Sequence, residues 1–397
     1  MKICRSLNLS FNLKKNNFCI IKMCIFAQNF EEIIIIIKNR NMKKILAINP
    51  GSTSTKIAVF EDDNQVFVKN LKHSTEELEP FKSIAEQYEF RKNVILNELR
   101  ENGIDISSVD FVIGRGGLIK PIQSGVYRVN ELMKEHLRMG YNGEHACNLG
   151  GLIADSIAQS IGLKESFIAD PVVVDEFPEV ARIAGHPLFE RKSIFHALNQ
   201  KAIARTYAMK VGKKYEDLNL IVAHMGGGVS VGAHQKGQVI DVNQALDGEG
   251  PFSPERSGTL PMNQVINYCF SGEYTKEEVK KMVVGKGGFV GYFGVNDAYE
   301  IEKRALAGDE KADLLETAMA YQVAKSIGEN ATVLKGKVDA ILITGGIAYG
   351  KPIVAKIRER IDWIAPVEVF PGEDEMKAMA FNAMLVINGD MEPKEYL

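Results

Sequence analysis

Short apolar runs set off by small-residue turns alternate along the chain with longer segments of helical period, and this pattern predicts an α/β fold. Lys44–Asn49 and Lys56–Glu61 are strand-like runs rich in Ile and Val that flank Pro50-Gly51-Ser52-Thr53-Ser54-Thr55. A third strand, Val66–Leu71, follows after Asp62-Asp63-Asn64. The same order returns later. Asn219–Ala223 and Val229–His234 flank Met225-Gly226-Gly227-Gly228, and Gln238–Asn243 follows the Lys236-Gly237 turn. With Asn49 placed over His224 the two units stand 175 residues apart, as expected of a duplicated core. Each copy offers a turn of exposed backbone N–H groups, which suits phosphate because it supplies donors without bulk.

Helical periodicity marks Glu79–Glu101, Asn148–Ile161, Ala197–Val211, Asp309–Leu334 and Pro352–Ile361. Continuous apolar strands are expected at Val109–Gly114, Phe167–Ala169, Val338–Thr344 and Val367–Phe370. The last leads through Pro371-Gly372 into Glu373-Asp374-Glu375, acids that suit the start of a helix.

Composition changes this picture only at the N-terminus. Residues 1–41 hold nine Ile, seven Asn and five Lys, and seven basic against two acidic side chains. The remaining residues carry 41 basic against 49 acidic. The apolar run Ile33–Ile37 is too short for a secretory signal and follows Glu31 and Glu32. Residues 1–41 are therefore read as an extension outside the fold, an upstream start preceding Met42. The whole chain of 397 residues has a net charge of −3, which gives no electrostatic reason to expect nucleic acid or an anionic membrane. Its five scattered Cys form no disulfide framework, and a cytoplasmic protein is expected. No complete G-x-G-x-x-G occurs, and the near match Gly345–Lys351 to a P-loop fails because Pro352 replaces the Ser or Thr that holds Mg²⁺.

Seven motifs in order carry a resemblance. Ile45-Leu-Ala-Ile-Asn49-Pro-Gly-Ser-Thr-Ser-Thr-Lys56 resembles the opening signature of the acetokinase family. Ile113–Gly117, Ala169–Pro171, Ile194–His196, His224–Gly228, Pro254–Gly258 and Ile343–Ile347 resemble its later motifs, so the likeness spans Met42 to Leu397. It implies two duplicated ribonuclease-H-like (actin-like ATPase) domains with an inter-domain cleft. The first would comprise residues 42–172 plus 374–397, and the second, nucleotide-binding one 173–373. The implied activity is ATP-dependent phosphorylation of a short-chain carboxylic acid, with ATP/ADP and Mg²⁺, in a homo-oligomer.

Joining two anions demands charge neutralisation and alignment, for which guanidinium groups are suited. By resemblance, Arg115 holds the acyl carboxylate and Arg256 stabilises the transferring group. Asp170 positions the reacting groups, and His196 hydrogen-bonds the phosphoryl. ATP falls to Ser52, Thr53, His224, Gly226, Gly227, Gly228, Asp297, Gly345, Gly346 and Ile347. Mg²⁺ falls to Asn49 and one acid of the Glu373–Glu375 run, mostly through water: Glu375 by its spacing from Ala378-Met-Ala380, with Asp374 as the alternative. Gly116, Gly117, His145 and Phe195 would line the substrate pocket.

Three departures from the acetate kinase pattern stand out. Gly227 replaces an Asn donor to phosphate, and Tyr299 replaces an Arg near the adenine. Gly116 and Gly117 replace a Val pair, which predicts space for a four-carbon acyl chain, butyrate, at ~0.8 kcal/mol per extra buried CH₂. Acetate or isobutyrate kinase is the neighbouring reading. An ATP-gated binding protein of the Hsp70 kind is the reading from another class, although it leaves Arg115 and Arg256 without work.

Overall fold

The computed structural model describes residues 42–397, and the reading of residues 1–41 as an extension lies outside them. Two sheets organise these residues. The first has β1 (Lys44–Pro50), β2 (Ser54–Glu61), β3 (Asn64–Lys72), β4 (Phe111–Arg115), β5 (Val126–Arg128) and β6 (Phe167–Ala169), in the order β3-β2-β1-β4-β6-β5. The second has β7 (Asn219–Met225), β8 (Val229–Gln235), β9 (Gln238–Val242), β10 (Ala340–Gly345) and β11 (Val367–Pro371), in the order β11-β10-β7-β8-β9.

Their topologies coincide. In each sheet an antiparallel meander of three strands is followed by two parallel strands, β4 and β6 in the first and β10 and β11 in the second, and the first sheet adds β5 antiparallel at its edge. Each carries a register shift between its second and third strands, at Val59/Phe60 and at Ala233/His234. Asn49 pairs with Lys56 beside the first turn, and His224 pairs with Ser230 beside the second. The duplicated core expected from the sequence is present.

Both faces of each sheet are covered, which explains the nearly continuous apolar strands. On the first sheet Leu46 and Ile48 pack with Ile95 and Leu99 of α1 (Tyr88–Glu101). Met133 and Leu137 of α2 (Glu131–Met139) and Leu149 and Ile153 of α3 (Asn148–Ser160) complete that layer. On the second sheet Leu220 and Val222 meet Ala204 and Tyr207 of α4 (Ala197–Lys210). Ile221 and Ala223 meet Ile301 of α5 (Ala298–Leu306), Val323 of α6 (Glu310–Val333) and Ile357 of α7 (Lys351–Ile361). The last helix, α8 (Glu375–Ile387), returns to the first sheet, where Met376, Met379 and Ala383 pack with Ile45, Ala47 and Phe60.

The structure departs from the sequence reading in three places. The helix expected from Glu79 begins at Tyr88, because Pro80 interrupts it and a capping box at Ser74 closes a separate turn, Thr75–Leu78. β5 and α2 were not anticipated, although the Asn130 N-cap and the left-handed Gly140 are visible helix signals. Between β9 and α6 lie Met262–Cys269, Lys276–Val283, Gly288–Phe293 and α5, helices too short for periodicity to show clearly.

Candidate active site

Buried Arg91 on α1 shapes the first turn. The side chain is fully buried, and its Nη1 donates to the carbonyls of Gly51 (2.7 Å) and Ser54 (3.1 Å) and to Thr55 Oγ1 (3.2 Å). Nη2 donates to the Ser52 carbonyl at 2.9 Å, while the Thr53 carbonyl accepts from His73 N. With its carbonyls engaged inward, the turn leaves the Ser52 and Thr53 side chains exposed. Burial pulls the Arg91 guanidinium down to about 10, still charged at neutral pH. Arg91 was missed by the sequence reading, since nothing in its helical spacing distinguishes it from a surface arginine.

At the end of β4, Arg115 grips Glu375 with both arms, Nη1 to Oε2 at 3.0 Å and Nη2 to Oε1 at 2.9 Å. Asn49 joins them, accepting from Arg115 Nη1 at 3.4 Å and donating through Nδ2 to Glu375 Oε2. Burial opposes the Arg115 charge, but Glu375, Cys147 and Glu373 together outweigh it and the guanidinium is held above its ordinary value. Of the three candidate acids, Asp374 caps α8 by accepting from Lys377 N. Glu373 reaches toward the second turn, 3.6 Å from His224 Nε2, and burial raises its carboxyl.

On the second sheet the His224 ring stacks on His196, centroids 3.9 Å apart and 13° from parallel. His224 Nδ1 hydrogen-bonds Asn199 Oδ1 at 2.8 Å, and its Nε2 has no hydrogen-bond partner among the described residues. Burial drives His224 down to about 4, with Arg115 and Arg256 adding to it against Glu375. Burial, His224 and both arginines push His196 far below its ordinary value, so both rings are neutral. Arg256 lies over Gly228, where a Cβ would sit 1.9 Å from Nη1, so any side chain there displaces the guanidinium. Its Nη1 donates to the Ala245 carbonyl at 2.6 Å, and its buried Nε is unpartnered. Burial lowers the Arg256 guanidinium from its ordinary value. A half-buried cation with an unpartnered Nε beside a glycine turn is poised for an anion.

A cavity of about 510 Å³ opens next to this cluster. Gly226, Gly227, Asp297, Tyr299, Gly346, Ile347 and Glu373 line it. Asp297 also caps α5, its carboxylate accepting from Tyr299 N at 2.9 Å. Gly345 ends β10 with φ 93°, where a Cβ would meet the Met225 carbonyl at 2.2 Å.

Four expected site residues sit differently. Asp170 follows β6 with φ 37° and is buried, not open to a cleft. Its carboxylate accepts from Ser124 Oγ (2.7 Å), Gly125 N (2.8 Å) and Arg205 Nη1 (2.9 Å). Burial would raise that carboxyl, but Arg205 and Lys201 hold it below its ordinary value. Phe195 packs with Val174, Phe177 and Val242 as core rather than pocket wall. Gly116 and Gly117 do not open space. A Cβ on Gly116 would lie 2.5 Å from Pro171 Cβ, and one on Gly117 2.7 Å from Asn148 Cα. This corrects the expectation of a widened pocket there, because these glycines let Pro171 and α3 approach the backbone. His145 keeps a substantial exposed surface, while partial desolvation of its ring, with Arg115 and Arg256 nearby, lowers its pKa.

Comparison with known proteins gives the family and the fold. Residues 186–366 match the model of the acetokinase family. Butyrate kinase 2 of Clostridium acetobutylicum is 56% identical over 353 residues, covering 89% of this chain and 99% of that one. The crystal structure of Porphyromonas gingivalis acetate kinase superposes with a TM-score of 0.69 at 19% identity, over 87% of this chain and 100% of that one. A propionate kinase from Francisella tularensis gives 0.66 at 20% identity, over 86% and 99%. These structures share the two-sheet fold described above.

Proposed function

Since the chain belongs to the acetokinase family, we propose that it transfers the γ-phosphoryl group of ATP to butyrate, giving butyryl phosphate and ADP reversibly. The observation that carries this reading is the pair of arginines around stacked neutral histidines, next to a cavity lined by glycine turns. A carboxylate oxygen attacks the γ-phosphorus in line, the bond to the bridging oxygen breaks, and ADP leaves with that electron pair. No covalent phosphoenzyme is needed.

Arg115, whose fork holds Glu375 here, exchanges that carboxylate for the acyl carboxylate of the substrate, and His145 stands nearby. Arg256 and the His196 N–H meet the transferring phosphoryl. The amides of Gly226, Gly227 and Gly228, beside His224, receive the phosphate chain on one side, and the turn at Ser52 and Thr53 does so on the other. Adenosine occupies the cavity between Asp297 and Gly345-Gly346-Ile347. Asp170 acts at one remove, holding Arg205 and the segment at Ser124.

Mg²⁺ fits the donor set. Asn49 and Glu375 bring an amide and a carboxylate together, and Mg²⁺ keeps most of its ligands as water and phosphate oxygen. Among the described residues no group of three or more His, Cys, Asp and Glu forms a fuller cage. When bound, the ion neutralises phosphate charge. We read the two sheets as two domains, residues 42–172 with 374–397 and 173–373, that close on the substrates. The protein works in the cytoplasm as a homo-oligomer.

Trapping acyl phosphate as hydroxamate with MgATP and acetate, propionate, butyrate, isobutyrate or valerate tests the reaction and the acid together. The expected result is a maximum in kcat/KM at butyrate. A maximum at acetate or isobutyrate would keep the reaction and change the substrate. Absence of hydroxamate with every acid would overturn the kinase reading.

A further inference from the structure

Behind His196 a line of buried polar side chains runs away from the site. His196 Nδ1 is 2.8 Å from Ser230 Oγ, and Gln200 Nε2 is 2.8 Å from the same oxygen and 3.0 Å from the Ser230 carbonyl. Gln200 Oε1 is 2.9 Å from His234 Nε2, and His234 Nδ1 is 2.7 Å from the Tyr215 hydroxyl. Gln200, Ser230 and His234 are each fully buried. Ser230 and His234 share one face of β8, and His196 and Gln200 stand one helical turn apart at the start of α4. Between them on that face stands Gly232, where a Cβ would come 2.8 Å from Gln200 Oε1. The missing side chain makes the room in which the Gln200 amide lies.

Donor and acceptor chemistry gives this line one direction. The Ser230 carbonyl only accepts, so the amide nitrogen of Gln200 must face it and Oε1 must face His234. Oε1 only accepts, so His234 carries its proton on Nε2, which leaves Nδ1 to accept from Tyr215. Ser230 Oγ accepts from Gln200, and its own proton has no acceptor among the described residues other than His196 Nδ1, so it donates there. Nδ1 as acceptor forces the remaining proton of a neutral ring onto Nε2, at the edge away from Ser230. His196 Cε1 lies 3.3 Å from the Cβ position of Gly228, beside Arg256.

We propose that Tyr215, His234, Gln200 and Ser230 are positioning residues that fix His196 as the Nε2–H tautomer, so that it offers the site a donor and not a lone pair. The consequence for catalysis rests on the reading of His196 as a donor to the transferring phosphoryl. Burial keeps Tyr215 protonated, far above its ordinary value. Burial with Lys201 and Arg205 keeps His234 neutral, so neither end of the line reverses near neutral pH.

The test reads the tautomer directly. Isotope-labelled histidine in the full chain is observed by long-range proton–nitrogen correlation, with His196→Asn assigning the signal. The expected spectrum shows His196 and His234 both as Nε2–H. His196 protonated on Nδ1 would overturn the proposal, whatever the kinase assay gives. Ser230→Ala is expected to mix the tautomers and lower kcat about tenfold with the KM for both substrates within about twofold. Gly232→Ala, which leaves every donor intact but crowds the amide, should do the same. An unmixed Nε2–H signal in a folded Ser230→Ala protein would also refute the relay. Absent hydroxamate formation by the unaltered protein would instead refute the kinase reading and leave the tautomer result standing.

Discussion

Arg256 places a half-buried cation over a glycine turn with its buried Nε unsatisfied, a costly arrangement unless an anion completes it. Arg256→Ala should therefore lower kcat by about 10²–10³, the loss seen when one transition-state donor is removed, while a thermal melt stays near that of the unaltered protein. The same hydroxamate assay gives the kinetic arm. Gly117 behaves oppositely. Its Cβ position is filled by Asn148 and Leu137, so Gly117→Val overpacks the start of α3. The expected result is a loss of about 1–3 kcal/mol in denaturant unfolding, with the KM for acetate and for butyrate moving together. A selective rise in the butyrate KM would restore Gly117 to the pocket. At this scale the motif residues Asn49, Arg115, His196, His224 and Arg256 were legible, because each sits in a short segment whose neighbours are as particular as itself. Arg91, Gln200 and Tyr215 were not, because their partners lie 19 to 40 residues away along the chain and only the fold reveals them.

Elements act here by carrying polar groups to fixed places. α1 is an ordinary amphipathic helix except that Arg91 turns inward and ties the carbonyls of the β1–β2 turn. Arg91→Ala should loosen that turn, raising the KM for ATP and lowering stability by roughly 3 kcal/mol, since several buried carbonyls lose their donor. Titration of ATP binding beside a urea melt separates the two effects. The end of β6 is held differently. Asp170 and Arg205 form a buried pair, and Asp170→Asn leaves Arg205 uncompensated. A loss of about 3–5 kcal/mol is expected in the same melt. Unchanged stability with abolished activity would return Asp170 to direct chemistry.

For the whole molecule, burial of charge-bearing groups sets the response to pH. Five histidines (His73, His145, His196, His224 and His234) have pKa values below the ordinary 6.5, His73 and His224 at about 4. The unfolded chain therefore binds more protons than the native one below pH 6.5. Their contribution is complete above that pH and is lost as pH falls toward 4. Glu373 and Glu302, both raised by burial, work in the opposite sense but are outnumbered by the histidines. Melting temperature should decline steadily from pH 7 to pH 4.5, and a flat profile would mean that the histidines are more open than the structure has them. The α/β class, the duplicated strand–turn–strand units and the order of motifs were determined by the sequence, because apolar period and turn chemistry are local properties. Tertiary structure decided which buried side chains face one another: that Gly116 and Gly117 make room for Pro171 and α3, that Asp170 is spent on Arg205, and that Ser230 stands behind His196. Those outcomes depend on close packing between elements far apart in the chain, where a shift of one residue in register changes every partner.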